Sequence, residues 1–114
     1  MPAALDRLRR SSDISATLRR GKRARQRWMN VAARQNGLPH SRFALSVGKR
    51  VGSAVVRNRV KRRLRSLLRS RMPLGGYDIV VTARVGADLV SIKELERDIE
   101  RCISHIGLKL TEKA

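Results

Sequence analysis

Aromatic side chains are scarce in this 114-residue sequence: one Phe, one Trp and one Tyr make up 3% of it. Its interior must therefore be aliphatic, packed from Leu, Ile and Val, and flat surfaces for stacking bases are few. A single cysteine, Cys102, leaves no internal disulfide to form, so a reducing, cytoplasmic setting is expected. No run approaches the roughly 18 uninterrupted apolar residues of a membrane span, and no membrane partner is expected. The most consequential absence is acid. Between Ile14 and Tyr77 stand 18 Lys and Arg without one Asp or Glu, while the rest of the chain holds nine of each sign. The net charge of +18 thus belongs to one contiguous stretch.

Concentrated positive charge repels itself, and a polyanion relieves the repulsion. Nucleic acid is the leading partner class, with an anionic membrane surface behind it. A basic face kept for solubility would carry interspersed acids. The Arg- and Ser-rich start, Leu8 to Arg27, has the composition of an organelle transit peptide, but Asp6 and Asp13 interrupt it. The length fits one domain over 1–114, with an ordered core expected at about 8–106.

Ser11, Ser12 and Asp13 are N-cap types; Ile14 and Leu18 share a helical face, and Gly21 ends the helix. Lys22 to Arg27 reads as a short edge strand leading into Trp28 to Arg34. There Trp28, Asn30 and Ala32 face one way, and Met29, Val31 and Ala33 the other. Gln35 to Ser41, with Asn36-Gly37 and Pro39, reads as a hairpin-type connection. Arg42 to Val47 alternates like a half-buried strand. Gly48 and Gly52 bracket a turn holding Lys49 and Arg50, and a long helix is expected from about Ser53 to Arg71, stopped by Pro73 and Gly75-Gly76. Tyr77 to Ala83 is nearly continuous apolar sequence, the mark of a central strand. Ser91 and Glu94 form a capping-box pair before a last helix, whose stripe is Leu95, Ile99, Cys102, Ile103 and Ile106. This order predicts an α+β sandwich with helices against one small sheet.

The long helix carries the chemistry. At 100° per residue, Val56, Val60, Leu64, Leu67 and Leu68 gather on one side. Asn58, Lys61, Arg62, Arg65 and Arg69 gather on the other, and Arg57, Arg59 and Arg63 flank the seam. Guanidinium groups suit phosphate because their planar fork binds two oxygens at once. A ridge at i, i+3, i+4 spacing can follow a sugar-phosphate strand. Asn58 is a poor helix-interior residue, which points to a hydrogen-bonding task there.

The run from Phe43 to Arg65 holds Ser46-Val47-Gly48-Lys49-Arg50, then Arg57-Asn58-Arg59, then Lys61-Arg62-Arg63-Leu64-Arg65. It resembles the signature of the bacterial ribonuclease P protein family. The resemblance extends upstream through Leu8-Arg9-Arg10-Ser11-Ser12-Asp13 and Arg20-Gly21-Lys22-Arg23, and downstream through Gly76-Tyr77-Asp78-Ile79-Val80-Val81-Thr82-Ala83-Arg84 and Leu95-Glu96-Arg97-Asp98. It implies a single-domain α-β-β-β-α-β-α sandwich, of a type also found in a ribosomal protein, with a left-handed crossover around the long helix. It further implies a subunit of an endoribonuclease that removes the 5′ leader of precursor transfer RNA, with catalysis by an RNA subunit that needs Mg2+. The implied partners are that catalytic RNA and the leader; no obligate protein partner is implied. RNA contacts are expected at Lys49, Arg50, Arg57, Asn58, Arg59, Lys61, Arg62, Arg65 and Arg69, and a leader cleft at Ile14, Leu18, Arg19, Lys22, Arg27 and Met29.

The sequence departs from that family in two ways. Ile14 and Leu18 on the first helix, and Met29 and Ala32 near the strand, stand where aromatics are usual. Gly48 replaces a more usual Ser. No protein catalysis is expected: the basic stretch has no carboxylate, His40 lies in a loop, and Cys102 falls on an apolar stripe beside a helix-end His105. Asp78 reads either as structural or as lying near bound metal. The alternatives are a non-catalytic structural RNA-binding protein of ribosomal type and a DNA-binding protein; the second should present base-reading side chains early in its long helix, where Val and Arg stand instead.

Overall fold

The computed structural model describes residues 6–70 and 75–108, and the expected helix end at Arg71 and Pro73 lies outside them. The elements run β1 (Asp6–Arg7), α1 (Ser11–Arg20), β2 (Lys22–Arg25), β3 (Met29–Gln35), β4 (Arg42–Val47), α2 (Ala54–Ser70), β5 (Tyr77–Ala83) and α3 (Ile92–Ile106). A single 3-10 turn, Lys49–Val51, joins β4 to α2. The result is the mixed α+β domain expected, with four principal strands, three helices and one addition. The two-residue β1 pairs in parallel with β4, setting Arg7 beside Phe43. Too short for a hydrophobic pattern, it left no trace in the sequence reading.

The sheet order β1-β4-β5-β3-β2 corrects one expectation. Asn36-Gly37 reads as a hairpin turn, and Gly37 does take the left-handed φ of 71° such turns use. Yet β3 and β4 are not partners. β5 lies between them, antiparallel to β3 from Met29↔Ala83 to Gln35↔Tyr77 and parallel to β4 from Arg42↔Asp78 to Val47↔Ala83. Local turn chemistry turned the chain, but the apolar run Ile79-Val80-Val81 took the centre, because a strand buried on both faces gains most there.

Register divides the sheet into two faces. Ala24, Met29, Val31, Ala33, Phe43, Val47, Ile79, Val81 and Ala83 pack with Val60, Leu64, Leu67 and Leu68 of α2 and the apolar stripe of α3. This inner face holds the aliphatic core, where each fully buried Leu or Ile contributes about 1.5–3 kcal/mol. Residues one step out of phase, among them Ala32, Arg34, Arg42, Ala44, Asp78 and Val80, form the outer face, over which α1 lies.

The ends of the helices follow local rules unevenly. The N-cap position of α1 is Arg10, with no side-chain cap, so Ser11, Ser12 and Asp13 lie in the first turn instead. Thr17 is fully buried beneath α1, and its hydroxyl donates to the Asp13 carbonyl at 2.8 Å. At α3 the capping box is complete: Ser91 Oγ accepts from the Glu94 N–H, and Glu94 returns a bond to the Ser91 N–H. Gly21 turns the chain into β2 where a side chain cannot fit; a Cβ there would stand 2.7 Å from the Ala33 carbonyl oxygen.

Candidate nucleic-acid interface

Helix α2 is built as its periodicity predicts, and its polar side is left uncovered. Asn58, Arg59, Arg62 and Arg69 are exposed, while Arg57, Lys61 and Arg65 are half-buried along the seam. The helix opens at Ser53, whose Oγ accepts from the Val56 N–H at 3.4 Å. Lys49 and Arg50, both exposed, extend the cationic surface past that end on the 3-10 turn, anchored by buried Val51. Arg63 is diverted: its Nη1 donates to the Val90 carbonyl at 3.1 Å, tying α2 to the β5–α3 loop. The Nε–H groups of Arg57 and Arg65 are buried without an acceptor. A buried donor left unmade costs about 1–3 kcal/mol, and a bound anion can shift these side chains to recover it.

The outer face shows why the acid-free stretch can fold. Asp13 and Asp78 lie just outside its two ends, and the fold brings both against its arginines. Arg42 holds Asp78 with a two-point grip, Nε to Oδ1 and Nη2 to Oδ2, each at 2.8 Å. Arg34 lies 3.7 Å from Asp78 and 3.8 Å from Asp13, and Arg42 lies 3.6 Å from Asp13. Asn36 Nδ2 adds a 3.0 Å bond to the fully buried Asp78 carboxylate. Asp78 is therefore a structural residue that fastens α1 to the sheet through two shared arginines. Removing one partner of such a buried pair typically costs about 3–5 kcal/mol.

Two hollows flank α1. The first, about 400 Å³, is lined by Leu18, Arg23, Arg25, Asn30, Ala32, Val80 and Thr82. Its floor is small and aliphatic, its rim cationic, and Asn30 Oδ1 is buried there without a partner. The second, about 370 Å³, lies where the chain from Arg7 to Arg9 meets β4, between Ile14 of α1 and Lys61 and Arg65 of α2. No aromatic side chain lines the first hollow among the described residues, as the lost family aromatics imply.

The expected cleft residues do not all gather. Leu18 lines the first hollow and Ile14 the second, although they share one face of α1. Met29 lines neither hollow: it is fully buried on the inner face, because the alternation that turns Asn30 to the outer face turns Met29 into the core. Lys22 is in register with inner-face Ala33 and lines a different depression, near the end of α3. Arg27 stacks over the Trp28 ring, 4.9 Å from its centre, and lines neither hollow. Arg19 is exposed on α1, with its Nε 3.4 Å from the Ser15 carbonyl. Arg23, Arg25, Asn30 and Thr82 line the first hollow beside Leu18. The two-residue alternation that puts Asn30 with Ala32 and Met29 with Val31 already separates Asn30 from Met29 in the sequence.

Among the described residues, no three His, Cys, Asp or Glu side chains gather to hold a metal. Cys102 is fully buried, and its thiol is pushed up to about 11, chiefly by burial and then by the nearby Asp98 charge. Asp98, also buried, accepts the Trp28 backbone N–H at 2.8 Å and so holds the β2–β3 turn to α3. No helix of the described residues is long and apolar enough to cross a membrane.

Comparison with known proteins gives one answer. The Ribonuclease P family model matches residues 3–107. The ribonuclease P protein component of Beutenbergia cavernae is 42% identical over 112 residues, covering 96% of this chain and 93% of the relative. That of Syntrophobacter fumaroxidans is 39% identical over 103 residues, covering 88% and 87%. The structure of the Staphylococcus aureus RNase P protein superposes with a TM-score of 0.79 at 26% identity, covering 90% of this chain and 95% of that one. The Thermotoga maritima RNase P protein gives 0.75 at 28% identity, covering 84% and 93%. With the match running through both the outer-face floor and the α2 ridge, the chain belongs to the ribonuclease P protein component family.

Proposed function

We infer that this chain binds a catalytic ribonuclease P RNA through the α2 ridge and the 5′ leader of precursor transfer RNA through the outer face beneath α1. The RNA subunit cleaves; the protein alone is inert. The observation that carries this reading is the pairing of an acid-free ridge on α2 with a cation-rimmed, aliphatic-floored hollow on the outer face. A protein that merely coats folded RNA needs the first and has no use for the second. Lys49, Arg50, Arg57, Asn58, Arg59, Lys61, Arg62, Arg65 and Arg69 supply the ridge contacts, where guanidinium forks take phosphate oxygens. Leu18, Ala32 and Val80 offer an apolar floor to leader bases, and Arg23 and Arg25 meet the backbone at the sheet edge.

Base stacking on aromatics contributes about 1–3 kcal/mol per base. Without it, leader grip here depends more on charge and is correspondingly more sensitive to salt. The buried carboxylates Asp78 and Asp98 are both engaged by internal donors, so they do not fit a metal site. Mg2+ is assigned to the RNA, and the reaction to the cytoplasm.

The test is 5′ processing of a precursor transfer RNA at low Mg2+ by a bacterial ribonuclease P RNA, with and without this protein. Strong stimulation, with no cleavage by protein alone, is the expected result. Tight, salt-sensitive RNA binding without stimulation would instead establish a structural RNA-binding protein of ribosomal type.

A further inference from the structure

We propose that the second hollow is a phosphodiester socket completed by Arg7 and Arg9 of the N-terminal edge segment, residues the ridge and the leader cleft leave out. This rests on the chain being an RNA-binding subunit and adds a site to that reading. Four cations line the hollow: Arg7 and Arg9 from one end of the chain, Lys61 and Arg65 from α2. Among the described side chains no carboxylate lines it. Elsewhere on the outer face the fold answers clustered arginine with acid, as Asp13 and Asp78 do for Arg34 and Arg42. Here it does not, and converging positive charge in a concave site is the arrangement that draws an anion in.

The floor is apolar, formed by Leu8, Ile14, Phe43, Ala44 and Leu45, so the site suits a nucleotide unit with a sugar or base edge below its phosphate. Leu8 is what sets the arginines in place. It is buried, its N–H donates to the Phe43 carbonyl at 2.7 Å, and alternation along the extended chain leaves Arg7 and Arg9 exposed on either side. Arg65 brings a buried Nε–H with no acceptor in the free protein.

The two hollows share one row of the sheet, beneath α1. One row of the outer face, Arg23, Ala32, Val80 and Ala44, crosses from β2 to β4 and contributes to the first hollow at one end and to the second at the other. Its three strand spacings amount to about 14 Å. Helix α1 covers the middle of that row, with Ala32 and Val80 buried beneath it, so the two hollows open on opposite sides of the helix. The phosphate reaching the four cations comes either from the leader or from the catalytic RNA beside α2.

The experiment compares wild-type protein with Arg7→Ala/Arg9→Ala and Arg7→Lys/Arg9→Lys. The salt dependence of affinity is measured for ribonuclease P RNA alone, and then for the holoenzyme with precursor and with mature transfer RNA. The alanine pair should lower the slope of log affinity against log salt by about 1.4–1.8, from two lost phosphate contacts, and the lysine pair should restore much of it. A loss confined to precursor assigns the socket to the leader; a loss with the RNA alone assigns it to the catalytic RNA. Unchanged slopes in all three arms, with the alanine variant folded by circular dichroism, overturn the socket. Wild-type protein that binds none of these RNAs would overturn the RNA-binding reading itself.

Discussion

At the scale of single residues, burial decides more than chemical type. Cys102, read from its spacing as part of an apolar stripe, is fully buried, and Asp98 is buried beside it. The Cys102 thiol, raised to about 11 from an ordinary 9.0, keeps its proton in the folded state where the unfolded chain has lost it. Stability from this group is therefore whole below pH 9.0 and declines as pH rises toward about 11, by up to about 1.4 kcal/mol per pH unit. Urea midpoints measured from pH 8 to 10.5 should fall more steeply for the wild type than for Cys102→Ala; parallel slopes would refute the assignment. Asp78 shows the limit of reading residues alone. Its sequence neighbours left a structural role and a metal role equally open, and only the distant Arg42 and Asn36 decide between them.

At the scale of elements, amphipathic patterns were legible and long-range pairings were not. The two sides of α2 and the stripe and cap of α3 follow from spacing alone, because a helix folds its own sequence neighbours onto one face. The place of β5 between β3 and β4 has no local signature, and neither does β1. The ridge was readable for the same reason as α2, whereas the second hollow draws on Arg7 and Lys61, residues far apart in sequence that no period connects. Helix α1 joins the two kinds of information. Its side-chain cap is missing, and it is held by the Asp13–Arg34–Arg42–Asp78 cluster and buried Thr17, which leaves Leu18 free at the hollow's wall, 39% exposed. Leu18→Glu should thus fold normally. It should weaken holoenzyme binding of leader-bearing precursor by about tenfold or more, within the ~1–3 kcal/mol of one base contact. Mature transfer RNA should bind as before, and equal losses on both substrates would remove the hollow from the leader's path.

At the scale of the molecule, a net charge of +18 on one small domain sets its behaviour before any specific contact forms. Self-repulsion should make the free protein's melting temperature climb between about 50 mM and 500 mM salt, as screening shortens to a few ångströms. Bound RNA should replace that salt requirement, adding about 2.7 kcal/mol at a hundredfold excess over Kd at low ionic strength. A melting temperature indifferent to both would show that the charge is already neutralised within the fold. The strand order gives the same charge a timetable. The strand that occupies the centre of the sheet is made last of the five, so β3 and β4 emerge from the ribosome with no partner between them. At about 5–20 residues per second, the gap before β5 follows lasts a few seconds. During that interval nearly the whole acid-free stretch is exposed, and Asp78, which fastens Arg42 and approaches Arg34, has yet to emerge. The nascent chain thus exposes its densest positive charge before the strand that closes the sheet, and the acid that answers it, have arrived.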